Sequence, residues 1–355
     1  YFRAGASMLF DDLMGEQLLG VAVQAGTRAY DLGIDVRYLN RERRWNWGVS
    51  AELQPRVRLR SVGELVTIDG TRALEQDIEL RLQTSTRFAG SVAYPFSRAR
   101  RIELEAGLRH LDFAREHYSQ TRLVPSGRLL RDVRTDLPAA EDVVLAETGV
   151  AFVHDTARWG PVSPRLGSRW RLEAIHSTGE LSFTTLAADY RRYFMPHRGV
   201  TVAARVAPSL RLGADADDGR LFPMYAGSRV PVRGYYGRAM TADCAARASV
   251  GCVAGDDLYG HRVVAGNFEV RVPLNVLPSK TTLPLRIEAL AFADAAFLWA
   301  PDPLRAGEEL DHRVRSFGAG VRINAMGMLM EFHAVKPLDR LQNGWTFGMA
   351  ARPGF

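Results

Sequence analysis

The sequence predicts an all-β fold, a closed antiparallel transmembrane β-barrel of about 16 strands, and three observations support this prediction. Apolar and polar residues alternate along most of the 355 residues, and a period of two is typical of strands with two unlike faces. The alternating segments run for about 9–14 residues, whereas strands average about 5–6. Aromatic residues gather near the segment ends, as at the two interfaces of a membrane barrel.

The alternation is clear in residues 30–40, YDLGIDVRYLN, where Ile34 and Val36 lie on one face and Asp35 and Arg37 on the other. A tilted strand that crosses a membrane needs about 9–11 residues. In such a strand the apolar face contacts lipid and the polar face lines the lumen. The aromatic residues near the ends of the segments are Trp45, Trp47, Tyr190, Tyr193, Phe194, Trp299, Trp345 and Phe347.

The alternation divides the chain into sixteen predicted strands, an even number, as a closed antiparallel barrel made by one bacterial chain requires. The segment 56–73 fits either strand extensions around a turn or an extra hairpin. The predicted strands are 2–10, 17–26, 29–40, 45–56, 73–84, 86–97, 101–114, 143–156, 167–178, 183–196, 199–213, 262–274, 285–299, 314–325, 328–336 and 344–355.

The predicted connections alternate in length. With the N-terminus inside, each connection from an odd to an even strand faces outward, and two of these, 115–142 and 214–261, are long. The inward connections are mostly short, which is the asymmetry expected of an outer-membrane barrel. We therefore expect one barrel domain over residues 1–355, with no linker.

Charge and composition restrict the partners. The net charge is +6 and the isoelectric point is about 9.5, yet Lys280 and Lys336 are the only lysines. The arginines are spread along the chain rather than clustered, which argues against a nucleic-acid partner. Scattered arginine suits contact with anionic lipid head groups, including lipopolysaccharide, or a polar interior.

Targeting signals within the chain are few. No run of about 18 apolar residues predicts a transmembrane helix. Residues 1–20 lack a basic segment followed by an apolar one, so a signal peptide is absent or already removed. The chain opens within a predicted strand, and we expect further sequence upstream of Tyr1.

The two cysteines, Cys244 and Cys252, lie in one polar segment. A zinc site needs about four ligands, and no second pair of ligands accompanies them. We favour a loop disulfide over two unrelated thiols, which would place the segment in an oxidising compartment.

No motif predicts an enzyme, a cofactor or a metal site. The eight histidines lie outside the GxSxG and HExxH patterns, and we interpret the pair His154 and Asp155 as part of a strand end and turn. The acidic stretch GADADDG, 213–219, lacks the glutamate that closes a calcium-binding loop. The histidines are His110, His117, His154, His176, His197, His261, His312 and His333.

Several motifs between about residue 150 and residue 355 belong together. RVPVRGYYGR, 229–238, contains Val232, Arg233, Gly234 and Tyr235, and the strand that follows reads N-x-E-x-R-x-P-L. Phe292 and Asp294 begin an F-x-D-x-G pattern whose glycine is replaced by Ala296. A turn pattern and an aromatic C-terminus complete the set. The remaining motif residues are Asn267, Glu269, Arg271, Pro273, Leu274, Asp155, Thr156, Pro164, Gly167, Trp345, Phe347 and Phe355.

In order and spacing these motifs closely resemble the BamA/TamA superfamily of outer-membrane insertases and two-partner-secretion transporters. The resemblance implies that the loop 214–261 folds its VRGY tip into the lumen, where Arg233 pairs with Asp294. Arginine binds carboxylates through two parallel hydrogen bonds, and Gly234 permits a positive φ at the tip. It also implies that residues 344–355 carry the outer-membrane targeting signal.

The resemblance implies a barrel that assembles, inserts or translocates unfolded or secreted client polypeptides. In this family the first and last strands, here 2–10 and 344–355, pair weakly and form a lateral seam, and Gly5, Gly348 and Gly354 would weaken its pairing. A passive channel and a membrane anchor for an upstream soluble domain are the alternatives. FDDLMGEQLLG resembles superfamily barrels with soluble N-terminal domains, and we expect upstream periplasmic domains.

Overall fold

The structure is a computed structural model that describes residues 3–26, 31–68, 70–124, 126–226, 232–235, 258–274, 286–301, 309–325, 328–340 and 344–353. No helix among these residues is long and apolar enough to cross a membrane. The strands are β1 Arg3–Asp11, β2 Gln17–Gly26, β3 Gly33–Asn40, β4 Asn46–Ile68, β5 Thr71–Ser97, β6 Arg100–Leu123, β7 Leu129–Leu137, β8 Val143–Asp155, β9 Arg158–Trp159, β10 Pro164–Gly179, β11 Phe183–His197, β12 Val200–Leu212, β13 Met224–Tyr225, β14 Tyr259–Gly260, β15 Arg262–Leu274, β16 Arg286–Pro301, β17 Glu309–Ala325, β18 Met328–Pro337 and β19 Thr346–Pro353.

Seventeen of these strands form one sheet, and β13 and β14 form a separate pair. Successive long strands are antiparallel neighbours, as hairpin connections require. Two strands, β7 and β9, are not part of this succession of long strands. β7 pairs with the distal part of β6, and the two-residue β9 pairs with the start of β10, so β6 pairs directly with β8 and β8 with β10. The antiparallel all-β fold predicted from the alternation is confirmed.

The predicted break between strands 73–84 and 86–97 is wrong, because both segments belong to β5. Ser85 pairs with Gln54 on β4 and with Leu111 on β6, so the backbone runs straight through this point. Thr84, Ser85 and Thr86 continue the alternation, and no glycine or proline offers a turn there. The segment 56–73 consists of strand extensions around a turn near Gly70.

The predicted long loop 115–142 is largely strand. β6 continues to Leu123 and β7 occupies Leu129–Leu137. β5 has 27 residues, which at about 3.3 Å per residue is about 90 Å. An apolar membrane band is only about 25 Å high, so the β4–β7 sheet extends well beyond it.

Because two predicted strands form the single strand β5, the number of strands differs from the prediction, and so does the relative direction of the two edge strands. Without β7 and β9, fifteen strands follow one another in the large sheet, each antiparallel to the next. The first and the fifteenth, β1 and β19, therefore run in the same direction. Among the described residues no ladder joins them, so the structure does not show the closed sixteen-strand barrel that the sequence predicts.

The prediction also misplaces the connections before β5 relative to those after it, because it counts β5 as two strands. The sequence places 11–16 and 115–142 at the same end of the barrel. In the structure these two connections lie at opposite ends of the sheet, and the long connection 213–261 lies at the same end as 124–142. The connections at the short-turn end include 12–16, 41–45, 98–99, 156–163 and 198–199.

The sheet has one apolar and one charged face. Large apolar side chains project from the first face, including Phe88 and Leu108, which are 62% and 61% exposed. An aromatic band crosses this face near the short-turn end, with successive ring centroids 4.8–6.4 Å apart. Aromatic side chains favour the membrane interface because they combine an apolar body with a polar edge. The band consists of Trp45, Tyr94, Phe96, Phe152 and Trp170.

The other face carries ion pairs within strands and across the sheet. Arg87 on β5 donates to Glu147 on β8 over 2.8 Å, and Asp189 binds both Arg191 and Arg205 at 2.7 Å. A cavity of about 890 Å³ on this face is lined by residues from ten strands between β1 and β12. The sheet is therefore curved around its charged face.

On the apolar face, the loss of folding stability caused by an introduced charge should depend on the depth of that charge in the membrane. Replacing Leu108 by Arg on the apolar face should cost roughly 2–4 kcal/mol, whereas Phe96→Arg in the aromatic band should cost roughly 0–1 kcal/mol. Denaturant unfolding of each variant in lipid vesicles measures both values. Equal costs at the two positions would contradict the assignment of this face to lipid.

Candidate functional site

Residues 232–235, the loop tip, lie between β13 and β14 in the chain and are buried against the charged face. Val232 and Tyr235 pack in an apolar cluster with Val263 of β15, Leu298 of β16 and Val314 of β17. This packing surrounds the backbone of the tip on several sides. It fixes the position from which the Arg233 side chain extends.

Arg233 contacts carboxylates on three strands. Its Nε lies 2.9 Å from Glu331 Oε1 on β18, and one terminal nitrogen lies 3.3 Å from Asp294 Oδ1 on β16. The other terminal nitrogen donates to Glu269 on β15. Because Arg233 is only 7% exposed, these contacts replace the water that the guanidinium has lost.

Two further contacts orient the tip. The backbone N–H of Arg233 donates to Asp294 Oδ2 over 3.1 Å, and the Asn267 amide donates to Asp294 Oδ1 over 2.7 Å. The guanidinium carbon lies 3.9 Å from the centre of the Phe292 ring, a distance typical of a cation–π contact. Backbone and side chain of Arg233 are thus both bound to Asp294.

The three carboxylates around Arg233 are here called the carboxylate cluster of Glu269, Asp294 and Glu331, and two of them, Glu269 and Glu331, also bind further arginines. Glu269 accepts from Arg271 and Arg322, both at 2.7 Å. Arg322 also donates to Glu331 over 2.7 Å. Since Arg233 and Arg322 each contact more than one carboxylate, removal of either cation leaves more than one buried acceptor without its full set of donors.

Strand register brings these residues together. Asn267 is the direct partner of Asp294 across β15 and β16, and Arg322 is the direct partner of Glu331 across β17 and β18. Directly opposed residues in an antiparallel pair project to the same face. The alternation that creates the charged face therefore also assembles the cluster.

Gly234 and Tyr235 adapt the tip to the wall. Gly234 has φ = +91°, and a Cβ there would lie 3.3 Å from Val335 Cγ2, so both backbone and space favour glycine. The Tyr235 hydroxyl donates to the Arg315 carbonyl over 2.8 Å and accepts from the backbone N–H of Asp339 over 3.2 Å. Tyr235 thereby joins the tip to β17 and to the segment after β18.

A second connection reaches the same region from the opposite end of the sheet. Ser163 Oγ donates to Glu288 on β16 over 2.9 Å and accepts from Arg271 over 3.1 Å. The turn motif surrounds this contact: the Pro164 carbonyl accepts from Arg271 over 3.3 Å, and Gly167 has φ = +96° close to the Thr156 backbone. The connection 156–163 and the loop tip are thus linked through Arg271 and Glu269.

The sequence argument missed several members of the site. Glu331 and Arg322 are not part of the motifs, although each is a charged residue flanked by apolar neighbours within an alternating strand. They lie nine positions apart across a predicted hairpin, which is a signal that they face each other. Ser163 and Glu288, which meet from distant parts of the chain, gave no sequence signal.

Other predicted residues lie elsewhere. Trp345 packs edge-on against Phe317 with ring centres 5.8 Å apart, and Phe347 projects from the apolar face of β19. Their role in targeting stays a prediction. Several predicted residues fall outside the described part of the chain: Cys244, Cys252, Gly354 and Phe355, and with them Tyr236 and Arg238 of the stretch 229–238.

The candidate acid and histidine sites separate in the structure. His154 stacks on Trp170, whereas Asp155 accepts from the backbone N–H of Ala157. In GADADDG, Asp215 accepts from the backbone of Ser182, Asp217 binds His261 and Asp218 binds Arg220. The hydrogen bond from Arg220 lowers the pKa of the Asp218 carboxyl. Each acid has its own protein partner.

Comparison with known families identifies the fold. The Omp85 superfamily domain matches residues 15–350. The chain belongs to the Omp85 superfamily. The resemblance expected from the VRGY loop and the strands that follow it is confirmed, and the chain is an integral protein of the outer membrane.

Solved Omp85 structures share the fold at low sequence identity. BamA from Haemophilus ducreyi, lacking POTRA domains 1–3, aligns over 98% of this chain with a TM-score of 0.58 and 12% identity. CdiB from Acinetobacter baumannii and CdiB from Escherichia coli align over 98% of this chain at 12% identity, with TM-scores of 0.54 and 0.55. The chain spans 67%, 56% and 59% of these three chains. None of the curated proteins matches it in sequence.

The burial of Arg233 predicts a large loss of folding stability when its positive charge is removed. Arg233→Met should destabilise the folded chain by about 3–5 kcal/mol, because it removes one cation from three buried carboxylates at once. Arg315→Met is the control, since Arg315 pairs with Asp339 in a more exposed position and surface pairs contribute about 0–1 kcal/mol. Urea unfolding in detergent compares the two variants, and similar losses would contradict the assigned burial.

The shared carboxylates also predict that a simple charge exchange fails. In the double variant Arg233→Asp with Asp294→Arg, the new acid would face Glu269 and Glu331. Like charges at close range repel, so the double variant should recover only part of the stability that Arg233→Asp alone loses. Unfolding midpoints of both variants test this, and recovery to near the parent value would show that Asp294 is the dominant partner.

Proposed function

We propose that this chain is the membrane-embedded part of a machine that inserts or translocates client polypeptides at the outer membrane, with the loop tip held in its lumen. BamA is an insertase and CdiB is a two-partner-secretion protein, which supports this class of function. The observation that carries the proposal is the burial of Arg233 among carboxylates of β15, β16 and β18.

The contacts of the tip support a role as a removable plug. A loop held only by apolar packing could shift along the sheet, because such packing has no preferred direction. The directional hydrogen bonds of Arg233 and Tyr235 define one position. The cluster spans four consecutive strands near the C-terminal edge, β15 to β18. Movement of the loop would therefore alter the strands that support the edge strand β19.

The two edges of the sheet support client binding by strand addition. β1 and β19 are parallel, so one additional strand running opposite to both would form antiparallel ladders with each of them. Such an added strand gains backbone hydrogen bonds along an exposed edge. This geometry replaces the direct seam between 2–10 and 344–355 that the sequence predicts, and we propose that a client strand occupies this position transiently.

Site-specific crosslinking tests the proposal. A photoreactive phenylalanine analogue in place of Leu9 on β1, Met349 on β19 or Phe88 on β5 samples three exposed apolar positions. With a labelled, unfolded outer-membrane barrel polypeptide as probe, we expect adducts at Leu9 and Met349 and few at Phe88, because only the first two lie on edge strands. Equal yields at the three positions would contradict strand addition.

A passive channel is the rival function, because the charged cavity offers a path for ions. Conductance of the intact chain in planar bilayers, compared with a variant lacking 229–238, separates the two. A plug predicts low conductance that rises on deletion, whereas a large steady conductance of the intact chain would favour the channel.

A further inference from the structure

The cavity of about 890 Å³ on the charged face lies apart from the loop-tip site. It is bordered by β1 to β6, β8 and β10 to β12, and residues 221–225 together with Tyr259 line one side of it. Its volume falls within the range of about 300–1,000 Å³ found for small-molecule pockets. Neither Arg233 nor the carboxylate cluster lines it.

Three arginines from distant strands meet in this cavity. Arg56 lies on β4, Arg109 on β6 and Arg211 on β12, and all three belong to its lining. They are close enough to repel one another: Arg109 acts electrostatically on Arg56, and both act on Arg211. Repulsion of like charges in a restricted space destabilises the folded chain unless an anion offsets it.

The acids of the cavity are already engaged. Asp35 and Glu52 both accept from Arg37 at 2.8 Å. Glu147 accepts from Arg87 at 2.8 Å and lies 2.9 Å from Arg109. The carboxylates that line the cavity therefore bind Arg37, Arg87 and Arg109 rather than Arg56 or Arg211.

Arg211 is the most constrained of the three. It is only 9% exposed, and its terminal nitrogens donate to the carbonyls of Ala216 and Phe222 over 3.5 and 3.3 Å. Its Nε has no hydrogen-bond partner within the described ranges. Asp217, the acid that acts on it electrostatically, binds His261 at 2.6 Å. A buried guanidinium with a spare donor is costly unless a ligand accepts from it.

Arg56 is similarly without an acid. It donates a long hydrogen bond to the Gln54 side chain over 3.5 Å, and in the described chain no carboxylate lies within ion-pair distance of it. Hydroxyl groups complete the lining at Ser85, Ser177 and Thr185. Guanidinium groups and hydroxyls together form a typical environment for a tetrahedral oxyanion.

We propose that this cavity binds a phosphate group, with Arg56, Arg109 and Arg211 as its cationic ligands. A phosphate dianion offsets the repulsion among the three cations and accepts from the free Nε of Arg211. The space beyond one phosphate, bordered by Phe222, Tyr225 and Tyr259, accommodates an attached organic group. The phosphate is therefore either a free anion or the head group of a lipid or glycolipid.

Isothermal titration calorimetry on the full chain folded in detergent tests the site, in a buffer free of phosphate and sulfate. The probes are inorganic phosphate and glycerol 3-phosphate. We expect saturable binding with one site per chain, weakened about tenfold or more by Arg56→Gln and by Arg211→Gln through loss of a charged hydrogen bond. The control is Arg101→Gln, which removes an exposed arginine paired with Glu103.

Folding of each variant is verified by circular dichroism and by heat-dependent electrophoretic mobility. If Arg211→Gln does not fold, Arg211→Lys replaces it, and we expect weaker binding because lysine lacks the planar fork. Binding of both probes, with glycerol 3-phosphate at least as tight, would assign the site to a head group. Binding of inorganic phosphate alone would assign it to the free anion. The proposal is overturned if neither probe gives a saturable heat of binding. It is also overturned if folded Arg56 and Arg211 variants bind the probes as tightly as the parent chain does.

Discussion

The burial of one positive charge organises the C-terminal half of this chain. Arg233 has lost nearly all its contact with water, and carboxylates on β15, β16 and β18 compensate for that loss. Because those acids also bind Arg271 and Arg322, the strands and the loop depend on one network. Replacing a whole buried network of this kind by apolar residues could stabilise a fold equally well, whereas removing one member leaves its partners buried without their full set of contacts.

The same network connects the two ends of the charged face. Ser163, from the short-turn end, contacts Glu288 and Arg271, while the loop tip enters from the long-loop end. A change at either connection therefore alters the partners of Glu269. This arrangement gives a physical route by which events at one membrane surface could reach the other, and it supports the proposed function of a loop that moves during client handling.

Much of the fold could be predicted from the alternation alone, because lipid on one face and charge on the other impose a period of two. Ser85 shows the limit: a polar residue in mid-strand looks like a turn unless the pairing on both sides is known. In the site, Arg233, Asp294, Glu269 and Asn267 were found through motifs. Glu331 and Ser163 were not, because their contacts depend on register and on a connection that folds back across the sheet.

Amide hydrogen exchange at the loop tip tests the central claim most directly. The N–H of Arg233 donates to Asp294 Oδ2 over 3.1 Å and is buried with its side chain. Exchange measured by mass spectrometry should be slow for peptides covering 232–235 in the parent chain. It should become fast in the variant Asp294→Ala, while peptides from β5 stay protected. Fast exchange of the tip in the parent chain, equal to that of the variant, would contradict the account.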